Sequence, residues 1–216
     1  NSGALPTIFG TFPAGMVTRK LITLFSIPKP FVGHIGVIQR NALANWQRLS
    51  RDVDVVLFGC DAGAAEAAAE FGASHVETLP ANTYGTPLVS AAFRLAAERA
   101  ATPYIMYANA DILFDDSVLA ALRAVRDLPR FLLSGRRWDC DISESLVGTS
   151  DSGWRKLFSR CAERGRLHGP AGMDFFVFPR DMPLDMPEFA VGRPGWDSWL
   201  VWKCRMRGFP VIDATQ

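Results

Sequence analysis

The segment YIMYANADI, residues 104–112, decides the fold of this chain. Its first five residues are apolar or aromatic, and the polar residues Asn109 and Asp111 come directly after them. A short apolar run bounded by turn residues is typical of a buried strand in a parallel sheet. Ligands of open α/β sheets bind outside the carboxyl ends of the strands. The segment therefore predicts a buried strand with functional side chains at its end.

Strand-length and helix-length segments alternate on both sides of this run. We expect strands at residues 21–27, 53–58, 74–77, 104–108, 131–134, 175–178 and 210–212. We expect helices at residues 33–49, 62–71, 87–102, 116–126 and 196–206, with Thr86 capping the third. Residues 136–170 form a long polar stretch with weak periodicity. The alternation predicts one α/β domain with a mainly parallel central sheet flanked by helices.

Composition and charge argue against several classes of protein. The chain has 216 residues, of which 49% are hydrophobic and 21% charged, so it has the balance of a folded globular protein. Its 23 basic and 22 acidic residues leave a net charge of +1, which gives no indication of nucleic acid as a partner. No apolar run approaches the ~20 residues of a transmembrane helix. The four cysteines include no CxxC pair, which argues against a zinc site or disulfide framework and favours a cytoplasmic location.

Two acidic residues follow strand ends and are the first candidates for chemistry. Asp111 suits a hard divalent cation that bridges phosphate oxygens, and Asn109 can hydrogen-bond a ribose or a metal-bound water. Asp61 follows the strand at residues 53–58. Two structural alternatives stay open: Asn109 and Asp111 could form an Asx turn, and Asp61 could cap the following helix.

The element order and four segments resemble nucleotide-diphospho-sugar glycosyltransferases of the GT-A fold, a Rossmann-like fold. The four segments are the opening strand, Asp61, residues 104–112 and the later GWDSW at residues 195–199. In that family a strand-end Asp-x-Asp motif holds the metal and the diphosphate, and here the motif is Asn-Ala-Asp. The resemblance implies a nucleotide-diphospho-sugar donor, an acceptor of unknown class (glycan, lipid-linked sugar or small molecule), and Mn²⁺ or Mg²⁺ at Asp111. It implies donor contacts from Ser26, Ile27, Pro28, Asp61, Asn109, Ala110, Asp111 and Arg136.

The second half of the chain is expected to bind the acceptor and to supply the base. Inverting members of the family use an acid at a helix start to deprotonate the acceptor hydroxyl, which assigns Asp197 as general base and Asp174 as its alternative. Gly172, Trp196 and Trp199 are the candidates for acceptor contacts, because indole rings stack on sugars and glycine admits close approach. A helix-dipole role for Asp197 and core packing of one tryptophan are the structural alternatives.

The expected organisation is an extension at residues 1–19 followed by a domain at residues 20–216. Residues 20–135 form its nucleotide-binding half and residues 136–216 its acceptor-binding half. Family members bring a further metal ligand, often His, after the last strand, so we expect the domain to be C-terminally truncated. Two other functions stay open: a sugar nucleotidyltransferase, and a sugar-nucleotide-binding domain without catalysis. A dinucleotide-dependent dehydrogenase is disfavoured, because no GxGxxG opens the first helix.

Overall fold

A computed structural model describes residues 20–215; the extension expected at residues 1–19 lies outside the described residues. The strands are β1 (Ile22–Ser26), β2 (Val53–Phe58), β3 (Ser74–Val76), β4 (Tyr104–Ala108), β5 (Leu132–Arg136), β6 (Trp138–Asp139), β7 (Arg166–Leu167), β8 (Met173–Pro179) and β9 (Val211–Asp213). The helices are α1 (Gly33–Arg48), α2 (Ala64–Phe71), α3 (Val89–Arg99), α4 (Ser117–Val125), α5 (Asp151–Arg164) and α6 (Trp196–Met206).

Seven strands form one central sheet in the order β3-β2-β1-β4-β8-β5-β9. Strand β8 runs antiparallel to both of its neighbours, and the remaining neighbours are parallel. The expected mainly parallel sheet flanked by helices is confirmed. The carboxyl ends of β1, β2, β4, β5 and β9 therefore meet the amino end of β8 along one border, which we call the polar edge.

Helices cover both faces of this sheet, so its central strands are buried on both sides. Neighbouring residues of β1 show the consequence: Leu24 belongs to the core beneath α1, α2 and α4, and Phe25 to the core beneath α3 and α6. Adjacent side chains of a strand point to opposite faces, and here both faces are apolar. This explains why the strands are continuous apolar runs in the sequence.

Three local expectations differ from the structure. Helix α3 begins at Val89 and not at Pro87, because isolated bridges to Ala81 and Ala190 hold residues 87 and 88 extended. Helix α2 begins at Ala64, with a left-handed Gly63 at its N-cap position, so Asp61 does not cap it. The polar stretch at residues 136–170 contains the hairpin β6–β7 and the whole of α5.

Candidate functional site

The polar edge collects most of the side chains that the sequence singled out. Asp61 follows β2, Asn109 and Asp111 follow β4, Arg136 ends β5, and Asp174 begins β8. Asp174 reaches this edge only because β8 runs antiparallel to β4, which brings the amino end of β8 beside the carboxyl end of β4. Residues far apart in the sequence thereby form one continuous polar surface.

Asn109 joins β4 to β8. Its side-chain oxygen accepts a hydrogen bond from the Tyr107 hydroxyl at 2.7 Å, and its Nδ2 donates to Asp174 Oδ1 at 2.7 Å. Its backbone N–H also donates to the Asp174 carbonyl at 2.9 Å. The Asx-turn alternative is therefore wrong for Asn109, because its side chain is used across the sheet. Among the residues that the structure describes, the side chain keeps one N–H and one lone pair without a partner, and these are available to a ligand.

Asp174 is the centre of a charged network. Its second carboxylate oxygen forms an ion pair with Arg137, and only 14% of its side chain is exposed. Arg137 Nε also donates to Asp139 Oδ1 at 2.8 Å, and His168 Nδ1 lies 2.8 Å from Asp139 Oδ2. Hydrogen bonds from His168 and Arg137 hold the pKa of Asp139 below its ordinary value. Both oxygens of Asp174 are thus engaged, which makes it a weak candidate for a free base.

The sequence did not predict that Arg137, Asp139 and His168 form one network. The only available signal was the position of Arg137 next to Arg136, at the end of β5. Arg136 itself donates from Nε to the His168 carbonyl at 2.7 Å, so it supports the same loop.

Asp111 differs from Asp174 in having no ion-pair partner within residues 20–215. Desolvation and then the charge of Asp174 raise the pKa of Asp111, while Arg137 and Lys29 lower it. Asp111 is nevertheless an exposed residue, so its carboxylate is open to a ligand at the polar edge. A bound cation would favour the charged form of this carboxylate.

The charges of Asp111 and Asp197 both affect the buried phenol of Tyr107. Burial, followed by the charges of Asp174, Asp111 and Asp197, raises the pKa of the Tyr107 phenol. Its ring packs edge-to-face on Trp196, with the ring centroids 4.9 Å apart. The three carboxylates therefore act on one buried hydroxyl, although they come from β4, β8 and α6.

Asp197 lies in the first turn of α6, after a left-handed Gly195. Its Oδ1 accepts a hydrogen bond from the Ser198 N–H at 2.7 Å, and within residues 20–215 it makes no ion pair. Trp196 packs against Phe93 and Phe176 as well as Tyr107. Trp196 is therefore partly buried against the core beneath α3 and α6, and its contact with an acceptor stays a prediction.

Trp199 and Gly172 also have structural partners. The ring of Trp199 packs edge-to-face on Phe189. A Cβ atom at Gly172 would clash with the imidazole ring of His168. Glycine is therefore required there by packing inside the protein, and this contact accounts for Gly172 without an acceptor.

The first strand end supports the edge through its side chains. Ser26 is buried, and its hydroxyl donates to the Ala108 carbonyl at 2.6 Å, which ties β1 to β4. Ile27 packs against the core beneath α3 and α6. Pro28 is also buried. Any contact of these residues with a nucleotide would therefore come from backbone groups.

A cleft of about 870 Å³ opens beside the network. Asp111, Asp174, Arg136 and Arg137 line it, with apolar side chains such as Phe158 from α5. The other predicted site residues do not line this cleft; they are Ser26, Ile27, Pro28, Asp61, Asn109, Ala110, Gly172, Trp196, Asp197 and Trp199. The expectation that Asp197 faces the pocket containing Asp111 is not met by this cleft.

Comparisons with known proteins concern the fold. No family model matches the sequence, and no curated protein matches it. Among solved structures, a protein of Desulfovibrio desulfuricans, provisionally assigned as a nucleotide-diphospho-sugar transferase, is similar over 91% of this chain and 80% of its own, with a TM-score of 0.56 and 14% identity. A Pyrobaculum calidifontis mannosyltransferase in complex with GDP-mannose and Mn²⁺ has the same TM-score and identity over 93% of this chain and 56% of its own. The chain has a GT-A-like fold.

The GT-A-like fold also occurs in a neighbour of different chemistry. The 4-diphosphocytidyl-2C-methyl-D-erythritol synthase of Anaerococcus prevotii is similar over 90% of this chain and 89% of its own, with a TM-score of 0.51 and 10% identity. The fold is thus shared by transferases that act on different groups. A shared fold does not define the reaction, which depends on the residues of the site.

Two further observations concern the described chain. No helix formed by residues 20–215 combines the length and hydropathy needed to cross a bilayer. Within the same residues, His, Cys, Asp and Glu side chains form no group of three placed to hold a metal ion. Asp111, the predicted metal ligand, forms no ion pair in the described part of the chain. This donor set fits a cation held mainly by the phosphates of a ligand.

Proposed function

We propose that this chain is a nucleotide-sugar-dependent glycosyltransferase, with residues 20–135 binding the donor nucleotide and the residues from 136 onward binding the acceptor. The observation that carries the proposal is the exposed Asp111 at the end of β4, whose carboxylate forms no ion pair within residues 20–215, in a GT-A-like fold. Ligands of open α/β sheets bind at this edge, and a carboxylate there suits a hard divalent cation that bridges phosphate oxygens.

Asp111 would hold Mn²⁺ or Mg²⁺ together with the donor diphosphate. Such an ion supplies charge neutralisation of the leaving nucleoside diphosphate when it is bound. The mannosyltransferase neighbour with Mn²⁺ and GDP-mannose supports this choice of ion and donor class. Arg137 and Lys29 contribute positive charge near Asp111 from the protein itself. Asp61, whose carboxylate makes no hydrogen bond or ion pair within residues 20–215, is free to contact the nucleoside.

Asp197 is our choice for the general base. Within residues 20–215 its carboxylate accepts a hydrogen bond from the adjacent Ser198 N–H and makes no ion pair, whereas Asp174 is held by both Asn109 and Arg137. Asp174 would have to give up one of these contacts to accept a proton from a ligand.

A binding and turnover experiment tests the proposal. Calorimetry with nucleoside diphosphates, with and without Mn²⁺, should show metal-dependent binding that Asp111→Ala abolishes. Asp197→Asn should lower turnover by at least about 10²-fold with little change in nucleotide affinity. Unchanged Mn²⁺-dependent affinity in Asp111→Ala would contradict the metal assignment.

The matched control for the base is Asp174→Asn, which keeps the shape of the side chain. We expect it to disturb nucleotide binding or stability through the Asn109 contact, because it alters the network of β4 and β8. Loss of turnover alone in Asp174→Asn, with an active Asp197→Asn, would transfer the base role to Asp174.

The second candidate function is a sugar nucleotidyltransferase, which the Anaerococcus neighbour favours. The two reactions leave different products. A glycosyltransferase releases a nucleoside diphosphate, and a nucleotidyltransferase releases pyrophosphate from a nucleoside triphosphate. Pyrophosphate release would overturn the first candidate, and metal-dependent binding without any turnover would favour a binding domain.

A further inference from the structure

Two cysteines that are distant in the sequence meet on the wall of the cleft. Cys140 follows β6 and Cys161 lies on α5, and both line the 870 Å³ cleft. Burial and then the neighbouring Cys140 thiol raise the pKa of Cys161, so the two side chains are neighbours. The other two cysteines differ: Cys60 is exposed, and Cys204 is a buried residue of α6.

The packing of Gly165 places the Cys140 sulfur beside the last turn of α5, which carries Cys161. The N–H of Gly165 donates to the Cys161 carbonyl at 2.8 Å and ends α5. A Cβ atom at Gly165 would clash with that carbonyl and would lie 3.0 Å from Cys140 Sγ. The absent side chain therefore leaves the space that the Cys140 sulfur occupies. Pairing of Asp139 with Arg166 fixes the preceding residue in the hairpin β6–β7.

We propose that Cys140 and Cys161 form a reversible dithiol–disulfide site on the cleft wall, whose oxidant is a small disulfide of the glutathione class. Cys140 attacks the oxidant as a thiolate, forms a mixed disulfide and displaces one glutathione thiolate. The Cys161 thiol loses its proton to solvent, attacks Cys140 Sγ and displaces the second glutathione. Two protein thiols are oxidised to one disulfide, and one glutathione disulfide is reduced to two thiols.

The order of attack follows from the surroundings of the two thiols. Burial and then the hydrogen bond to Cys140 raise the pKa of Cys161 to about 12. Since only thiolates attack disulfides, Cys161 is the poorer first nucleophile and serves as the resolving thiol. Formation of the mixed disulfide removes the Cys140 thiol as a neighbour and so removes part of the cause of the raised pKa.

The disulfide would join the segment after β6 to α5 by a covalent bond. That segment directly follows Arg137 and Asp139, which hold Asp174 at the polar edge. The oxidised form therefore has a fixed cleft wall next to the proposed active centre. The site itself does not depend on the proposed glycosyl transfer, because its formation is measured without any substrate.

The test uses the full chain carrying Cys60→Ser, which removes the exposed thiol. Oxidised glutathione should lower the mass by about 2 Da and the number of thiols in the denatured protein by two, and dithiothreitol should reverse both changes. A tryptic digest should contain the peptides of Cys140 and Cys161 joined. Near-ultraviolet circular dichroism before and after treatment checks that the protein stays folded.

Single variants Cys140→Ser and Cys161→Ser in the same background are the matched controls. Cys161→Ser should stop at a stable glutathione adduct on Cys140, and Cys140→Ser should react much more slowly. The proposal is overturned if the Cys60→Ser protein keeps all of its thiols, gives only disulfide-linked dimers, or retains a stable glutathione adduct with both cysteines present.

Discussion

Replacing Asn109 by Asp would restore the Asp-x-Asp motif, yet the structure predicts that this change destabilises the metal-free protein. Asn109 Nδ2 donates to Asp174 Oδ1 at 2.7 Å, and a carboxylate at position 109 has no N–H to donate. Asn109→Asp therefore replaces a hydrogen bond with a contact between two carboxylates. The hydrogen bond from Tyr107 can persist, because it goes to an oxygen in both cases.

The size of the effect follows from these contacts. A hydrogen bond to a charged group contributes about 1.5–3 kcal/mol. Two carboxylates about 4 Å apart repel by about 4 kcal/mol at an effective dielectric constant of about 20. The ion pair of Asp174 with Arg137 and the partial exposure of Arg137 offset much of this repulsion. We expect a net loss of about 2–4 kcal/mol near neutral pH, and a fall in Tm of about 10 °C.

The loss should depend on pH in a defined direction. Mutual repulsion raises the folded-state pKa of one carboxylate of the pair above its unfolded value. The folded variant then binds a proton more readily than the unfolded chain, so its deficit is full above that raised pKa and shrinks as the pH falls through it. Asn109→Ala loses the same hydrogen bond without adding a charge, so its deficit should not follow this pH dependence.

Urea unfolding in the presence of EDTA, at about pH 8 and about pH 5, measures this prediction. Mn²⁺ should restore part of the stability of Asn109→Asp but not of Asn109→Ala, because only the former gains a ligand. Equal stability of Asn109→Asp and the parent at the higher pH would refute the Asn109–Asp174 contact.

Three other changes test individual residues. At pH values above the ordinary titration range of Asp, Asp111→Asn should raise the free energy of unfolding of the metal-free protein. The raised pKa of Asp111 means that its negative charge opposes folding at those pH values. The gain should vanish below that range, and urea unfolding that shows a loss at neutral pH would contradict it. Asp61→Ala should weaken binding of a bare nucleoside diphosphate in calorimetry, whereas a loss seen only with acceptor would place Asp61 elsewhere. Trp196→Ala should cost about 3–5 kcal/mol of unfolding free energy, because the ring packs against three core aromatics; unchanged thermal stability would disprove that packing role.

The sequence determined the elements whose pattern is local. The run at residues 104–108 and the segment at residues 53–58 became strands with the expected bounds, because continuous apolar runs of this length fit a sheet covered on both faces. The helix at residues 196–206 was also expected with its observed bounds. The placement of Asp111 at a strand end followed from the same local pattern.

Local patterns failed where tertiary contacts decide the conformation. Helix α5 was not predicted within the polar stretch, because most of its residues are polar. Its buried side is narrow and consists of Trp154 and Leu157. The start of α3 was misplaced, because the bridges to Ala81 and Ala190 override the preference of proline for a first helical turn.

The composition of the site was decided by the tertiary structure alone. Asn109, Arg137 and Asp174 meet because β8 lies between β4 and β5 and runs antiparallel to both. Strand order and direction depend on long-range pairing, which leaves no periodic signal in any one segment. The same holds for Cys140 and Cys161, whose contact requires the hairpin β6–β7 to pack against the end of α5. A single sequence specifies which residues can do chemistry, and the three-dimensional pairing of distant segments specifies which of them touch.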